Sequence, residues 1–111
     1  MKLLIASDLH GSAFWTRKVL EQFDARGAEK LVLLGDLLYH GPRNDLPDEY
    51  APKEVFALLN ARKNSILAVR GNCDAEVDQM VLEFPIMADY AQMTLEDGRA
   101  LFLTHGHLFD P

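Results

Sequence analysis

Lys30-Leu-Val-Leu-Leu-Gly-Asp36 carries the reading of the fold: a nearly unbroken apolar run closed by a glycine and a carboxylate. A strand with one face in water alternates polar and apolar residues. A strand covered on both faces has no reason to, so a run of this kind fits the interior of a parallel sheet. The same grammar recurs three times. Lys2 to Ala6 runs into Ser7-Asp-Leu-His-Gly11, Ser65 to Val69 into Arg70-Gly-Asn-Cys-Asp74, and Ala100 to Thr104 into His105-Gly-His107.

Working outward, the segment Ser12 to Arg26 is amphipathic. Trp15, Val19 and Phe23 recur every fourth residue with Leu20 beside them, while Arg17, Lys18, Glu21 and Gln22 face elsewhere. Phe14, Trp15 and Phe23 are expected in the core or an interface. Ser12 can cap the helix start and Gly27 stands where a left-handed terminator belongs. A second helix is expected over Lys53 to Arg62, opened by Pro52. Strand, helix, strand, helix, strand is a βαβαβ unit with right-handed crossovers. A third helix is expected over Ala75 to Phe84. Ala91 to Leu95 reads as an added strand that turns at Glu96-Asp-Gly98 into Ala100 to Thr104, a C-terminal hairpin. The fold class is α/β, mostly parallel, in a single domain over residues 1–111.

Composition excludes several functions. At 49% hydrophobic and 25% charged, the chain has enough apolar surface to offset its entropy, so disorder is excluded. Acids outnumber bases 17 to 11, a net charge of −6 that argues against nucleic-acid binding through a basic footprint. One cysteine allows no internal disulfide. Leu3 to Ser7 is too short for a signal peptide or for a membrane span of about 20 residues, so no membrane partner and a cytoplasmic location are expected. No Gly-x-Gly-x-x-Gly follows the first strand, which sets aside a dinucleotide-binding domain.

The chemistry lies where the apolar runs end. In an open α/β sheet, ligands bind in the crevice outside the carboxyl ends of the strands. Asp8, His10, Asp36, Asn72, Asp74, His105 and His107 all follow such ends. Singly, each is a common turn or cap residue; jointly, after four separate runs, they point to one metal pocket. Asp8 and His10 are two apart, so on extended chain they face the same way. Imidazole, carboxylate and amide together suit Mn, Fe, Zn or Ni. Gly35 and Gly71 allow a tight turn or close approach. A carboxylate such as Asp36 can bridge two ions, the arrangement used in phosphoryl transfer.

As an ordered set, Asp8-Leu-His10, Gly35-Asp36, Gly71-Asn72 and His105-Gly-His107 resemble the calcineurin-like metallophosphoesterase family. Gly71-Asn-Cys-Asp74, Thr104-His-Gly-His107 and His40-Gly-Pro-Arg-Asn44 are similar to its small bacterial phosphodiesterases of the YfcE type. The resemblance implies two divalent ions, Mn foremost. Asp8 and His10 would hold one, Asp36 would bridge, and Asn72 and His105 would hold the other, with His107 the second match behind His105. It implies hydrolysis of a small phosphodiester by a metal-bridging hydroxide, with Asn72 stabilising charge on the phosphoryl oxygens. Arg43 and His40 are the substrate-binding candidates, Arg43 through its planar fork. Asp74 either orients a neighbouring ligand or caps the helix that follows it.

The chain departs from the family pattern twice. Cys73 stands where many members have a histidine that protonates the leaving group, and a neutral thiol is a poor substitute, so good leaving groups are expected to react best. The family's last Gly-His-x-His motif is absent before Pro111, so the chain is read as the N-terminal portion of an α/β sandwich lacking its last strands. Weaker metal binding, impaired activity and homo-oligomerisation through an exposed sheet edge are the expected consequences. The alternative is a catalytically silent binding or scaffold module on the same fold.

Overall fold

The computed structural model describes residues 2–39 and 46–106. Strands β1 (Leu3–Ala6), β2 (Lys30–Leu33) and β3 (Ile66–Ala68) form a parallel sheet in the order β1-β2-β3. Leu4 pairs with Leu31, and Leu31 with Ile66. Helices α1 (Ala13–Ala25) and α2 (Pro52–Asn60) connect the strands and pack against each other. Strands β4 (Tyr90–Thr94) and β5 (Ala100–Thr104) form an antiparallel hairpin that is a sheet of its own, and α3 (Glu76–Gln79) lies between β3 and β4.

The unbroken apolar runs divide between two cores. Leu31, Leu33, Ile66 and Ala68 join Leu20 and Phe23 of α1 and Val55 and Leu59 of α2. Val32, Leu67 and Val69 point the other way, onto Leu101 and Leu103 of the hairpin. The central sheet is thus covered on both faces, which is why β2 and β3 show no polar alternation. At β1 the second layer does not close: Ile5 is 49% exposed, and among the described residues β1 pairs only with β2.

Helix α1 starts and stops on local chemistry. Ser12 Oγ accepts from Trp15 N–H at 3.1 Å. At the other end Gly27 adopts φ 64°, with Gly27 N–H bonded to Asp24 O and Ala28 N–H to Phe23 O. These two bonds are the Schellman pattern, closing the last carbonyls. Pro52 opens α2 in its first turn.

Three expectations need correction. Of the expected apolar face of α1, Leu20 and Phe23 are buried and Val19 packs against the core, but Trp15 is 52% exposed and Ala13 and Thr16 are buried instead. Trp15 lies at the edge of the face that Ala13, Leu20 and Phe23 turn onto the sheet and α2. The third helix is a single turn, Glu76–Gln79, since Gln79 turns inward to hydrogen-bond the backbone of Leu82, Phe84 and Ile86. Strand β5 alternates, with Phe102 exposed and Leu103 buried, because the hairpin's outer face is open.

Candidate metal centre

The loops after β1 and β2 continue their pairing beyond the strands. N–H groups of Asp8, His10 and Gly11 donate to the carbonyls of Gly35, Asp36 and Leu37 at 2.8–3.0 Å. To do so, Asp8, His10 and Asp36 adopt left-handed backbone, with φ 59°, 48° and 56°. Such conformations cost on the order of 1 kcal/mol or more each in residues with a Cβ and cluster at functional sites. Asp8 and His10 therefore converge through two left-handed kinks, not through the extended chain that their spacing suggested. Their side chains meet, with His10 Nε2 3.1 Å from Asp8 Oδ1.

Close approach of two glycines brings β2 and β3 together here. A Cβ on Gly35 would lie 2.3 Å from Gly71 N, and one on Gly71 would lie 2.3 Å from Asp36 Oδ1. Only backbone fits in that space. Behind it, the buried Asp74 carboxylate accepts from Asp36 N–H and Gly71 N–H at 2.7 Å and from Leu37 N–H at 3.0 Å. Asp74 thus ties the Asp36 turn to the Gly71 turn. The N–H of Ala75 bonds instead to Asp78.

Asp36 is 2% exposed, and its two oxygens have separate tasks. Oδ1 accepts from Cys73 N–H at 2.7 Å. Oδ2 faces His105 Nε2 at 3.3 Å and His10 Nε2 at 3.9 Å. Burial pushes the Asp36 pKa up; the Cys73 N–H and His105 oppose this, and Asp74 and Asp8 add to it. Cys73 is half-buried; burial, then Asp36, Asp74 and Asp8, raise its pKa, so it rests as a neutral thiol. Asn72 sits between Gly71 and Cys73 on the same loop, exposed.

The histidines are fixed from behind. His10 Nδ1 lies 2.9 Å from Tyr39 O, and His105 Nδ1 lies 2.7 Å from Leu34 O. A carbonyl only accepts, so Nδ1 carries the proton in each ring, and in the neutral ring Nε2 presents a lone pair. Each lone pair then faces a carboxylate oxygen: His10 faces Asp8, and His105 faces Asp36. Acceptor against acceptor is unfavourable unless a cation or an extra proton lies between them. Two sets of donor atoms fall within 4.8 Å of one another, His10 with Asp36 and Cys73, and Asp8 with Asp36 and His105. Asp36 belongs to both. His105 reaches the centre from the hairpin, across from the parallel sheet, and groups with Asp8 instead of standing apart from it. The donor chemistry fits a divalent transition-metal ion, with imidazoles oriented by backbone carbonyls as metal-ligating histidines usually are.

Sequence reasoning missed the carbonyls of Tyr39 and Leu34 and the hydroxyl of Ser7, which donates to Asp8 Oδ2 at 2.6 Å. A backbone carbonyl leaves no mark in a sequence; Ser7 could have been noticed as the neighbour of Asp8. His40, Arg43 and His107 lie outside the described residues.

The calcineurin-like phosphoesterase superfamily domain matches residues 1–111. Phosphodiesterase YfcE of Escherichia coli K12 is 60% identical over all 111 residues, and the O157:H7 sequence matches equally. The solved structure of YfcE, a phosphoesterase from E. coli, superposes with a TM-score of 0.97 at 58% identity over the whole chain. A predicted phosphoesterase from Streptococcus pneumoniae TIGR4 shares the fold, with a TM-score of 0.54 at 22% identity over 97% of this chain and 47% of its own. The chain spans 60% of the length of YfcE.

Proposed function

The chain belongs to the calcineurin-like phosphoesterase superfamily, and we propose that it is a divalent-metal-dependent phosphodiesterase acting on small phosphodiesters, with Mn the preferred ion and two ions per site. The observation that carries this reading is the pair of imidazoles with Nδ1 fixed on carbonyls and Nε2 turned onto Asp8 and Asp36. Asp8, His10, Asp36 and His105 would hold the ions, with Asp36 shared and Asn72 completing the set. Bound divalent ions supply polarisation of the phosphoryl oxygens and an attacking water of lowered pKa.

The chain's own residues set the rest. Cys73 N–H and the left-handed turn hold Asp36 in one orientation, so its free oxygen stays aimed at the centre. The amide of Asn72, exposed at the rim, can donate to a phosphoryl oxygen as charge grows there. Cys73 keeps its proton and transfers it poorly, so the leaving alcohol departs largely unassisted. Reactivity should therefore follow the acidity of the leaving group steeply. YfcE carries the name phosphodiesterase in E. coli, which agrees with this substrate class.

The test is hydrolysis of bis(p-nitrophenyl) phosphate with added Mn, compared with Asp36→Ala and accompanied by metal analysis. Bound Mn and turnover in the wild type, both lost in the variant, are expected. Equal rates in the two proteins, or no turnover with Mn bound, would refute the reading.

A further inference from the structure

We propose that the cleft beside the centre receives one ester arm of the substrate and fits an uncharged aryl group bonded to the ester oxygen. This rests on the phosphodiesterase reading above. The cleft holds about 210 Å³, and its walls include Leu38, Tyr39, Tyr50, Phe56, Val77 and Val81. An apolar cavity of about 150 Å³ accommodates benzene, so one ring fits with room at the mouth.

The position of the cleft follows from the chain. Leu38 and Tyr39 come directly after the Asp36 turn, and the Tyr39 carbonyl is the one that orients His10. Val77 follows the Asn72–Asp74 loop on α3. The Tyr50 ring lies against Gly11, next to His10, where a Cβ would come within 2.5 Å of it. Leu38, Tyr39 and Val77 therefore lie within a few residues of a candidate ligand and the Tyr50 ring reaches the Gly11 turn beside another, which sets the cleft next to the centre. Tyr39, Val77 and Val81 are 44%, 65% and 37% exposed, an apolar surface left wet beside a polar centre. Exposed apolar patches of this kind mark ligand grooves. The charged side chain among the described lining residues is Asp78, a carboxylate, which repels a second phosphate or an acidic arm and favours a neutral one.

The experiment compares phenyl phosphate with methyl phosphate by calorimetry on the Mn-loaded protein. Both place a phosphate at the centre; they differ only in the arm. Phenyl phosphate should bind at least about tenfold more tightly, equivalent to about 1.4 kcal/mol. Val77→Asn should erase most of that difference while leaving methyl phosphate affinity unchanged. Val81→Asn is the second variant, used if circular dichroism shows Val77→Asn unfolded. Equal affinity for the two phosphates in the wild type overturns the cleft and leaves the phosphodiesterase reading standing. An aryl preference that survives in the folded variant places the ring elsewhere and also overturns it. If neither phosphate binds, the phosphodiesterase reading fails and this inference falls with it.

Discussion

Replacing Asp74 should cost the protein much of its stability, because the carboxylate holds three buried N–H groups at once. Asp36 N–H and Gly71 N–H share Oδ2 at 2.7 Å, and Leu37 N–H takes Oδ1 at 3.0 Å. Asp74 is 7% exposed, Asp36 2% and Leu37 fully buried, so water does not replace the lost acceptor easily. A buried donor left unpaired costs about 1–3 kcal/mol. Three such donors in Asp74→Ala amount to about 3–9 kcal/mol, and removing a charge that repels Asp36 offsets part of this. The expected net loss is about 4 kcal/mol, a large share of the total stability of a domain. Asp74→Asn is nearly isosteric. Its carbonyl can keep the Asp36 and Gly71 bonds, but its amide then faces Leu37 N–H, donor against donor, for a loss of about 2 kcal/mol. Urea unfolding followed by far-UV circular dichroism measures both, with the slope unchanged. The order wild type, Asn, Ala is expected, and Mn affinity in Asp74→Ala should fall about tenfold or more as Asp36 loses its anchor. An Ala variant within about 1 kcal/mol of the wild type would refute the argument.

Gly71→Ala should weaken Mn binding at least about tenfold, because the new Cβ would lie 2.3 Å from Asp36 Oδ1 and 2.7 Å from its N. Gly27→Ala meets no atom within 4 Å, so it should cost only the left-handed penalty of about 1–2 kcal/mol; calorimetric Mn titration should then match the wild type. Adding Mn at about 100 times its Kd should stabilise the protein by about 2.7 kcal/mol in a thermal scan, and His105→Ala should remove most of that gain. Asp78 gives a pH signature. Burial raises its pKa above 3.8, opposed by the Ala75 N–H and reinforced by Asp74. The folded state therefore holds the proton more tightly, and this stabilisation is full below the unfolded pKa and lost as pH rises through the folded value. Asp78→Asn, which keeps an acceptor for Ala75 N–H, should gain on the wild type in melting temperature as pH rises from about 3.5 to about 7; a constant difference would contradict the assignment.

Much was legible in the residues themselves. Runs such as Lys30 to Leu34 and Ser65 to Val69 mark two-sided burial, because covered faces tolerate no polar side chain. The ends of α1 were equally plain, since Ser12 and Gly27 act on backbone groups within a few positions. The chemical types at the strand ends, carboxylate and imidazole, pointed to one cluster of mixed donors, and Asp8, Asp36 and His105 do lie together. What those residues could not convey depends on partners far along the chain. Trp15 stays outside the core because the side of α1 that meets α2 and the sheet runs through Ala13, Leu20 and Phe23. The left-handed turns at Asp8, His10 and Asp36 are held by inter-strand hydrogen bonds, and local preference alone would avoid them. The tautomers of His10 and His105 are decided by carbonyls 29 and 71 residues away. Asp74 gives no sign in sequence that it grips Asp36 and Leu37, 38 and 37 positions earlier. Periodicity and capping are interactions between neighbours, so the sequence alone determines them. Aiming a lone pair requires distant backbone to be in place, and only the tertiary structure puts it there.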